Sequence, residues 1–146
     1  MLEKMIALLK SQDMCVLATC RDHKPHCSLM AYVTDQEGLT VYMATLRNTT
    51  KFHNILQNGH VSLLVDTRQN TPDRSHILSL TVEGWAAPLT DASREMDVRR
   101  LLQEKHPQIR GLLNHEQSAV LEVKVRALLL LEGPEKATHV QVQRSS

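Results

Sequence analysis

Apolar residues recur at every second position in several segments of the chain, a spacing typical of strands that bury one face. The clearest example is residues 120–131, where Leu121, Val123 and Val125 alternate with charged residues. Short polar turns separate the early segments, which are therefore predicted to pair as hairpins. The pattern predicts strands at residues 15–19, 26–34, 39–44, 61–66, 76–87 and 120–131, and it allows an edge strand around Val140 and Val142.

Three other segments have helical spacing. The first ten residues place their apolar side chains three or four positions apart, as on one helix face. A second helix is predicted over residues 51–58, and a third begins after a cap at Thr90 or Asp91 and ends before Pro107. A single domain over residues 1–146 follows, mainly β with α additions. Short loops in a chain of this length favour a closed or partly closed antiparallel barrel with about three flanking helices.

The composition excludes several classes of partner. Lys and Arg number 17 against 16 Asp and Glu, and a net charge of +1 argues against binding nucleic acid or an anionic membrane surface. No apolar run approaches the roughly 18 residues of a membrane span. The three cysteines include no C-x-x-C pair, and the N-terminus has no signal-peptide pattern, so a cytoplasmic location is expected.

Residues 45–51, between a predicted strand and a predicted helix, concentrate groups that bind anions. They include three threonines, Asn48 and the cations Arg47 and Lys51. The first turn of a helix leaves backbone N–H groups unpaired and carries partial positive charge, so a phosphate is stabilised there. The segment therefore predicts a site for a phosphomonoester on a larger ligand. The alternative is that Thr50 merely caps the helix while the two cations are solvated.

Histidines and cysteines raise two further alternatives. Cys20, His23, His26 and Cys27 surround one hairpin, but their spacing matches no usual zinc pattern, and strand alternation should send His26 and Cys27 to opposite faces. We therefore expect no metal site. Haem stays open, because the chain has eight histidines and a haem iron needs only one as its protein ligand.

The order of the segments resembles the pyridoxamine 5′-phosphate oxidase-like family of FMN-binding split barrels. The resemblance is best over residues 14–66 and continues more loosely through VEGWA at 82–86. It rests on the ordered set VLAT (16–19), KPH (24–26), VYMAT (41–45), TKFHNI (50–55) and VSLL (61–64).

This resemblance implies a homodimer of six-stranded antiparallel split barrels, with FMN at each of two sites between the subunits. It assigns residues to three parts of the cofactor site. The residues are Ser28, Leu29, Met30 and Ala31 along the isoalloxazine ring and ribityl chain; Ala44, Thr45, Thr50 and Lys51 at the phosphate; and Ser79, which would reach the flavin from the partner subunit.

The chain departs from the vitamin-forming oxidases of the family in two places. Ser28 stands where they carry arginine and Thr50 replaces another basic residue, so either the phosphate is held less tightly or Arg47 compensates. Their Arg-x-His substrate motif has no counterpart in residues 138–144. The resemblance thus implies an FMN-dependent oxidoreductase with no assigned substrate or catalytic residue, and argues against pyridoxamine phosphate oxidation. The alternative is a non-catalytic flavin- or haem-binding protein.

Overall fold

The segments with alternating apolar residues form one curled antiparallel sheet in the computed structural model, which describes residues 1–144. The strands are β1 (Met14–Arg21), β2 (Lys24–Ala31), β3 (Val33–Thr34), β4 (Thr40–Leu46), β5 (His60–Asp66), β6 (Leu78–Pro88), β7 (Ser118–Glu132) and β8 (Lys136–Gln141). The helices are α1 (Leu2–Ser11), α2 (Thr50–Gln57), α3 (Ala92–Lys105) and the single turn α4 (Arg110–Leu113), with 3₁₀ turns at Arg74–His76 and Pro107–Ile109.

The two ends of the sheet are parts of one bent strand. The strand order is β2-β1-β5-β6-β7-β4-β3, with β8 added beside β7. Only Tyr32 separates β2 from β3, so the sheet curls back on itself as a split barrel. If β2 and β3 are counted as one strand, the sheet has seven strands.

The expected six-stranded barrel with about three helices is corrected to seven strands and four helices, and the seventh strand, β8, lies where the sequence allows an edge strand around Val140. β7 is 15 residues long, and one of its edges pairs first with β4 and then with β8, which makes room for the seventh strand. The fourth helix is α4, a single turn that lacks the length for a periodic signal. No helix within residues 1–144 is long and apolar enough to cross a membrane.

Alternate residues of the strands fill the barrel, and α1 closes one side of it. Leu17, Leu80 and Leu121 are fully buried in this core together with Met5 and Leu9 of α1. A second cluster joins α3 and α4 to β4 and β7 through Leu102 and Leu113. This second cluster holds the connection between α3 and β7 against the sheet at the point where the strands separate.

Candidate cofactor site

A cleft opens where the bent strand leaves β4. Val33 of β3 pairs with Tyr42 of β4, but before the bend at Tyr32 the chain pairs with β1 instead. β4 meanwhile continues along β7, so β2 and β4 diverge. The resulting cleft has a volume of about 340 Å³, within the roughly 300–1,000 Å³ usual for small-molecule sites. Its two side walls are residues 29–31 of β2 and residues 44–46 of β4.

One end of the cleft is polar and lies at the start of α2. Thr49 is the N-cap, since its Oγ1 accepts from the backbone N–H of Phe52 at 3.4 Å and donates to the carbonyl oxygen of Leu46 at 2.8 Å. The hydroxyl of Thr45 lies 3.2 Å from that of Thr49. Both threonines line the cleft. Unpaired N–H groups of the first helical turn therefore accompany two hydroxyls at this end.

Lys51 adds a positive charge to the same end. It lines the cleft and is half-buried, and that burial lowers the pKa of its ammonium group below the ordinary 10.5. Among residues 1–144 no carboxylate forms an ion pair with it. A half-buried cation without a counter-ion is costly unless an anion joins it.

The third wall comes from the segment between α3 and β7, residues 106–117, which we call the roof. Gln108, Ile109 and Leu112 of the roof line the cleft, opposite the strands. With Met14, Leu29 and Met30 they make most of the lining apolar. The cleft therefore combines an apolar body with a cationic, hydroxyl-rich end.

Most of the predicted site residues meet at this cleft. Ten residues were assigned to the cofactor from the sequence, and the structure brings six of them to the lining. Those six are Leu29, Met30, Ala31, Ala44, Thr45 and Lys51.

The other four predicted residues lie outside the lining. Ser28 is the neighbour of Leu29, and its buried Oγ has no hydrogen-bond partner in residues 1–144. The Arg47 guanidinium donates to the carbonyl oxygen of Ser118 at 2.8 Å, and Thr50 is exposed at the first position of α2. Ser79 lies on β6, which is three strands from β2 in the sheet, so the two strands are about 14 Å apart. Ser79 therefore does not reach the cleft of its own chain. Its contact with the flavin of a partner subunit stays a prediction.

Several residues that line the cleft are not among the ten predicted from the sequence. The roof residues gave no local signal, because His106 and Pro107 indicate only where the preceding helix ends. The structure corrects the expected helix cap from Thr50 to Thr49. A capping residue needs extended backbone angles, and Thr49 has them, with φ −102° and ψ 156°.

The capping role is directly testable in the flavin-free protein. Thr49→Ala should lower the free energy of unfolding by about 0.5–2 kcal/mol, because the first turn of α2 loses its cap. Thr50→Ala, one residue away and exposed, should change it by less than about 0.5 kcal/mol. Urea unfolding of both variants at one protein concentration measures the difference. Equal losses would refute Thr49 as the cap.

The hairpin with two cysteines and two histidines shows the alternation expected of a strand. Cys27 is exposed, whereas Nδ1 of His26 is buried and has no partner in residues 1–144. Within the same residues, no three His, Cys, Asp or Glu side chains come together as a group that could hold a metal ion.

Comparisons with known proteins agree with this architecture. Residues 1–131 match the sequence model of the family described as pyridoxamine 5′-phosphate oxidase. No curated protein matches the chain significantly in sequence.

Several solved structures share the fold. General Stress Protein 26 from Bacillus anthracis str. Sterne is 19% identical with a TM-score of 0.70, covering 96% of this chain and 97% of that one. A FAD-binding protein from Mesorhizobium loti is 15% identical with a TM-score of 0.73, covering 88% and 91%. A heme binding protein from Mycobacterium smegmatis is 14% identical with a TM-score of 0.83, covering 95% of this chain but 57% of that one. At these identities the likeness establishes the fold.

Proposed function

Because the chain belongs to the pyridoxamine 5′-phosphate oxidase family, we propose that it binds FMN in the cleft between β2 and β4 and acts as an FMN-dependent oxidoreductase. The observation that carries the proposal is the distribution of polarity in the cleft. A phosphate fits the end with Lys51, Thr45 and Thr49, where positive charge, hydroxyls and helix N–H groups converge. An aromatic ring system fits the apolar body.

One further observation supports a ligand of this kind. Within residues 1–144, β2 pairs only with β1, so backbone N–H and C=O groups on its other edge can bond to the polar edge of a flavin.

FMN would supply hydride and single-electron transfer, and the chain would supply binding and orientation. Lys51 would neutralise the phosphate, and Thr45 and Thr49 would donate to it. Arg47 would act indirectly, because it fixes the start of β7 by donating to Ser118. No histidine or carboxylate of residues 1–144 lines the cleft. That composition favours a second candidate, a flavin carrier without turnover, and it does not suit haem held by histidine.

We also propose that the protein is a homodimer that completes each cofactor site with residues of both subunits. Val16 of β1 pairs with Leu29 of β2 and with Leu64 of β5, so the three form a row across adjacent strands. The row lies on the outer face of the sheet, where Leu29 is 69% and Leu64 is 38% exposed. Leu29 also lines the cleft. A second copy seated on this row would cover the cleft and bring its own Ser79 towards the flavin.

The visible absorbance spectrum tests the flavin proposal. After incubation with FMN and gel filtration, the protein should retain the flavin absorption bands with one FMN per chain. Riboflavin, which lacks the phosphate, should be retained at least about tenfold less tightly. Steady consumption of NADH or NADPH by the loaded protein with an electron acceptor would favour the oxidoreductase over the carrier. A Soret band in the protein as isolated would indicate haem instead, and absence of any retained chromophore would refute the cofactor site.

A further inference from the structure

The roof contributes one polar side chain to the lining of the cleft, and that side chain is exposed to solvent. Four polar side chains line the cleft, and three of them, Thr45, Thr49 and Lys51, are at the phosphate end. The fourth is Gln108, which comes from the opposite wall. A polar group on an otherwise apolar wall, here beside Ile109 and Leu112, is typical of a group that fixes ligand orientation.

The backbone on both sides of Gln108 is held in place. The Nε2–H of His106 donates to the carbonyl oxygen of Tyr32 at 2.9 Å, and His106 is only 2% exposed. At the far end, Arg99 donates to the carbonyl oxygen of Leu113 at 2.9 Å and to the hydroxyl of Ser118 at 3.1 Å. The roof is therefore tied to the bend of β2–β3 and to the start of β7. Gln108 projects from a fixed wall, close to the Tyr32 anchor.

The Gln108 amide keeps free hydrogen-bonding capacity. Because Nε2 of His106 donates its proton to Tyr32, Nδ1 has a lone pair that can accept from the Gln108 Nε2 at a long 3.5 Å. In the described part of the chain the amide has no other partner. One N–H and the Oε1 oxygen therefore stay available to a ligand.

We infer that Gln108 recognises the pyrimidinedione edge of the isoalloxazine ring. That edge presents an N–H beside a carbonyl, and a carboxamide supplies the complementary acceptor and donor. With the phosphate fixed at Lys51, the ring extends through the apolar body towards the roof. Because the ring reaches the roof only if FMN occupies the cleft, the role of Gln108 rests on the proposed function. Gln108 is then a specificity-determining residue that selects a flavin over other phosphorylated aromatic ligands.

Gln108→Ala, titrated with FMN and with N3-methyl-FMN, tests this role. The variant should bind FMN roughly 2- to 12-fold more weakly for each hydrogen bond lost. In the unmutated protein N3-methyl-FMN should be weakened to a similar extent, because the methyl group removes the N–H. In Gln108→Ala the methyl group should cause little additional loss. Gln103→Ala, an exposed glutamine of α3 outside the cleft, is the matched control and should leave both affinities unchanged.

Three other outcomes would each contradict part or all of this proposal. If the unmutated protein retains FMN but Gln108→Ala binds FMN equally well, the role of Gln108 is wrong while the flavin site stands. If Gln108→Ala weakens FMN and N3-methylation costs the same in both proteins, Gln108 shapes the roof and does not recognise the ring edge. If the unmutated protein retains no FMN, both the site and the role are wrong. Gln108→Glu, which keeps only an acceptor, should regain part of the preference for FMN over N3-methyl-FMN.

Discussion

Replacing Lys51 by alanine is expected to weaken FMN binding roughly 10- to 150-fold, which corresponds to about 1.5–3 kcal/mol for a hydrogen bond to a charged group. Lys51 is the only lysine or arginine that lines the cleft in residues 1–144, and no carboxylate there competes with a phosphate for its charge. Quenching of FMN fluorescence on titration with protein measures the dissociation constant.

Two controls make the Lys51→Ala result specific. Riboflavin has no phosphate, so its affinity should be nearly the same for the variant and the unmutated protein. Lys124→Ala removes an exposed lysine of β7 outside the cleft and should leave FMN affinity unchanged. An unchanged FMN affinity in Lys51→Ala would remove the phosphate assignment from this end of the cleft.

The pH dependence gives Lys51 a second signature. Burial lowers the pKa of its ammonium group below 10.5 in the folded protein. Between this lowered pKa and 10.5, the unfolded chain therefore binds more protons than the folded protein. The contribution of Lys51 to the stability of the flavin-free protein should rise as pH rises through that interval. A bound phosphate favours the charged lysine and raises this pKa again. FMN affinity should consequently fall as pH rises through the lowered pKa, and the part of this fall that is due to Lys51 should disappear in Lys51→Ala.

Leu64→Asp is expected to convert the proposed homodimer into a monomer. A symmetric interface contains each substitution twice. Loss of apolar burial by two leucines costs roughly 3 kcal/mol or more, and two carboxylates would have to be desolvated in addition. The dimer dissociation constant should therefore rise by more than about 100-fold, as sedimentation equilibrium would measure. Leu101→Asp on α3 is the control, since Leu101 is similarly exposed at 46% but lies outside the Leu29–Val16–Leu64 row.

The same variant separates the dimer from the cofactor. If the partner completes each site, monomeric Leu64→Asp should retain less FMN even though its own cleft residues are unchanged. Full FMN retention by a proven monomer would show that one chain forms the whole site. A dimer that persists in Leu64→Asp would place the interface on another surface.

Much of the barrel follows from residue alternation. The alternation at Leu121, Val123 and Val125 predicts a strand, and all three side chains are buried in β7. The pairing of that strand with β4 is not contained in any local pattern, because the partners are far apart in the chain. The place of β8 is similarly non-local: the local pattern allows an edge strand around Val140, but its pairing depends on β7 extending beyond β4 and leaving an edge free.

The candidate site also contains residues that the local sequence predicts and residues that it does not. Residues 45–51 carry their own chemistry, so Lys51 and the threonines indicate an anion site without any structure. The roof has no such local signal, because Gln108 reaches the cleft through contacts such as that between His106 and Tyr32, which are 74 residues apart. The role of Arg47 shows the limit of reasoning from residue type. Its charge suggests a phosphate ligand, while its guanidinium donates to the backbone of Ser118.

The position of β4 also determines when the cleft forms during synthesis. β4 pairs with the two-residue β3 on one side and with β7 on the other. Its anchor Ser118 follows Arg47 by 71 residues, so the ribosome releases β4 and the start of α2 long before the strand that supports them. High contact order of this kind slows folding, and until β7 arrives the emerging chain exposes an unpaired edge containing Val41 and Met43. A flavin bound as proposed would therefore find its complete cleft only after the roof and β7 have been synthesised.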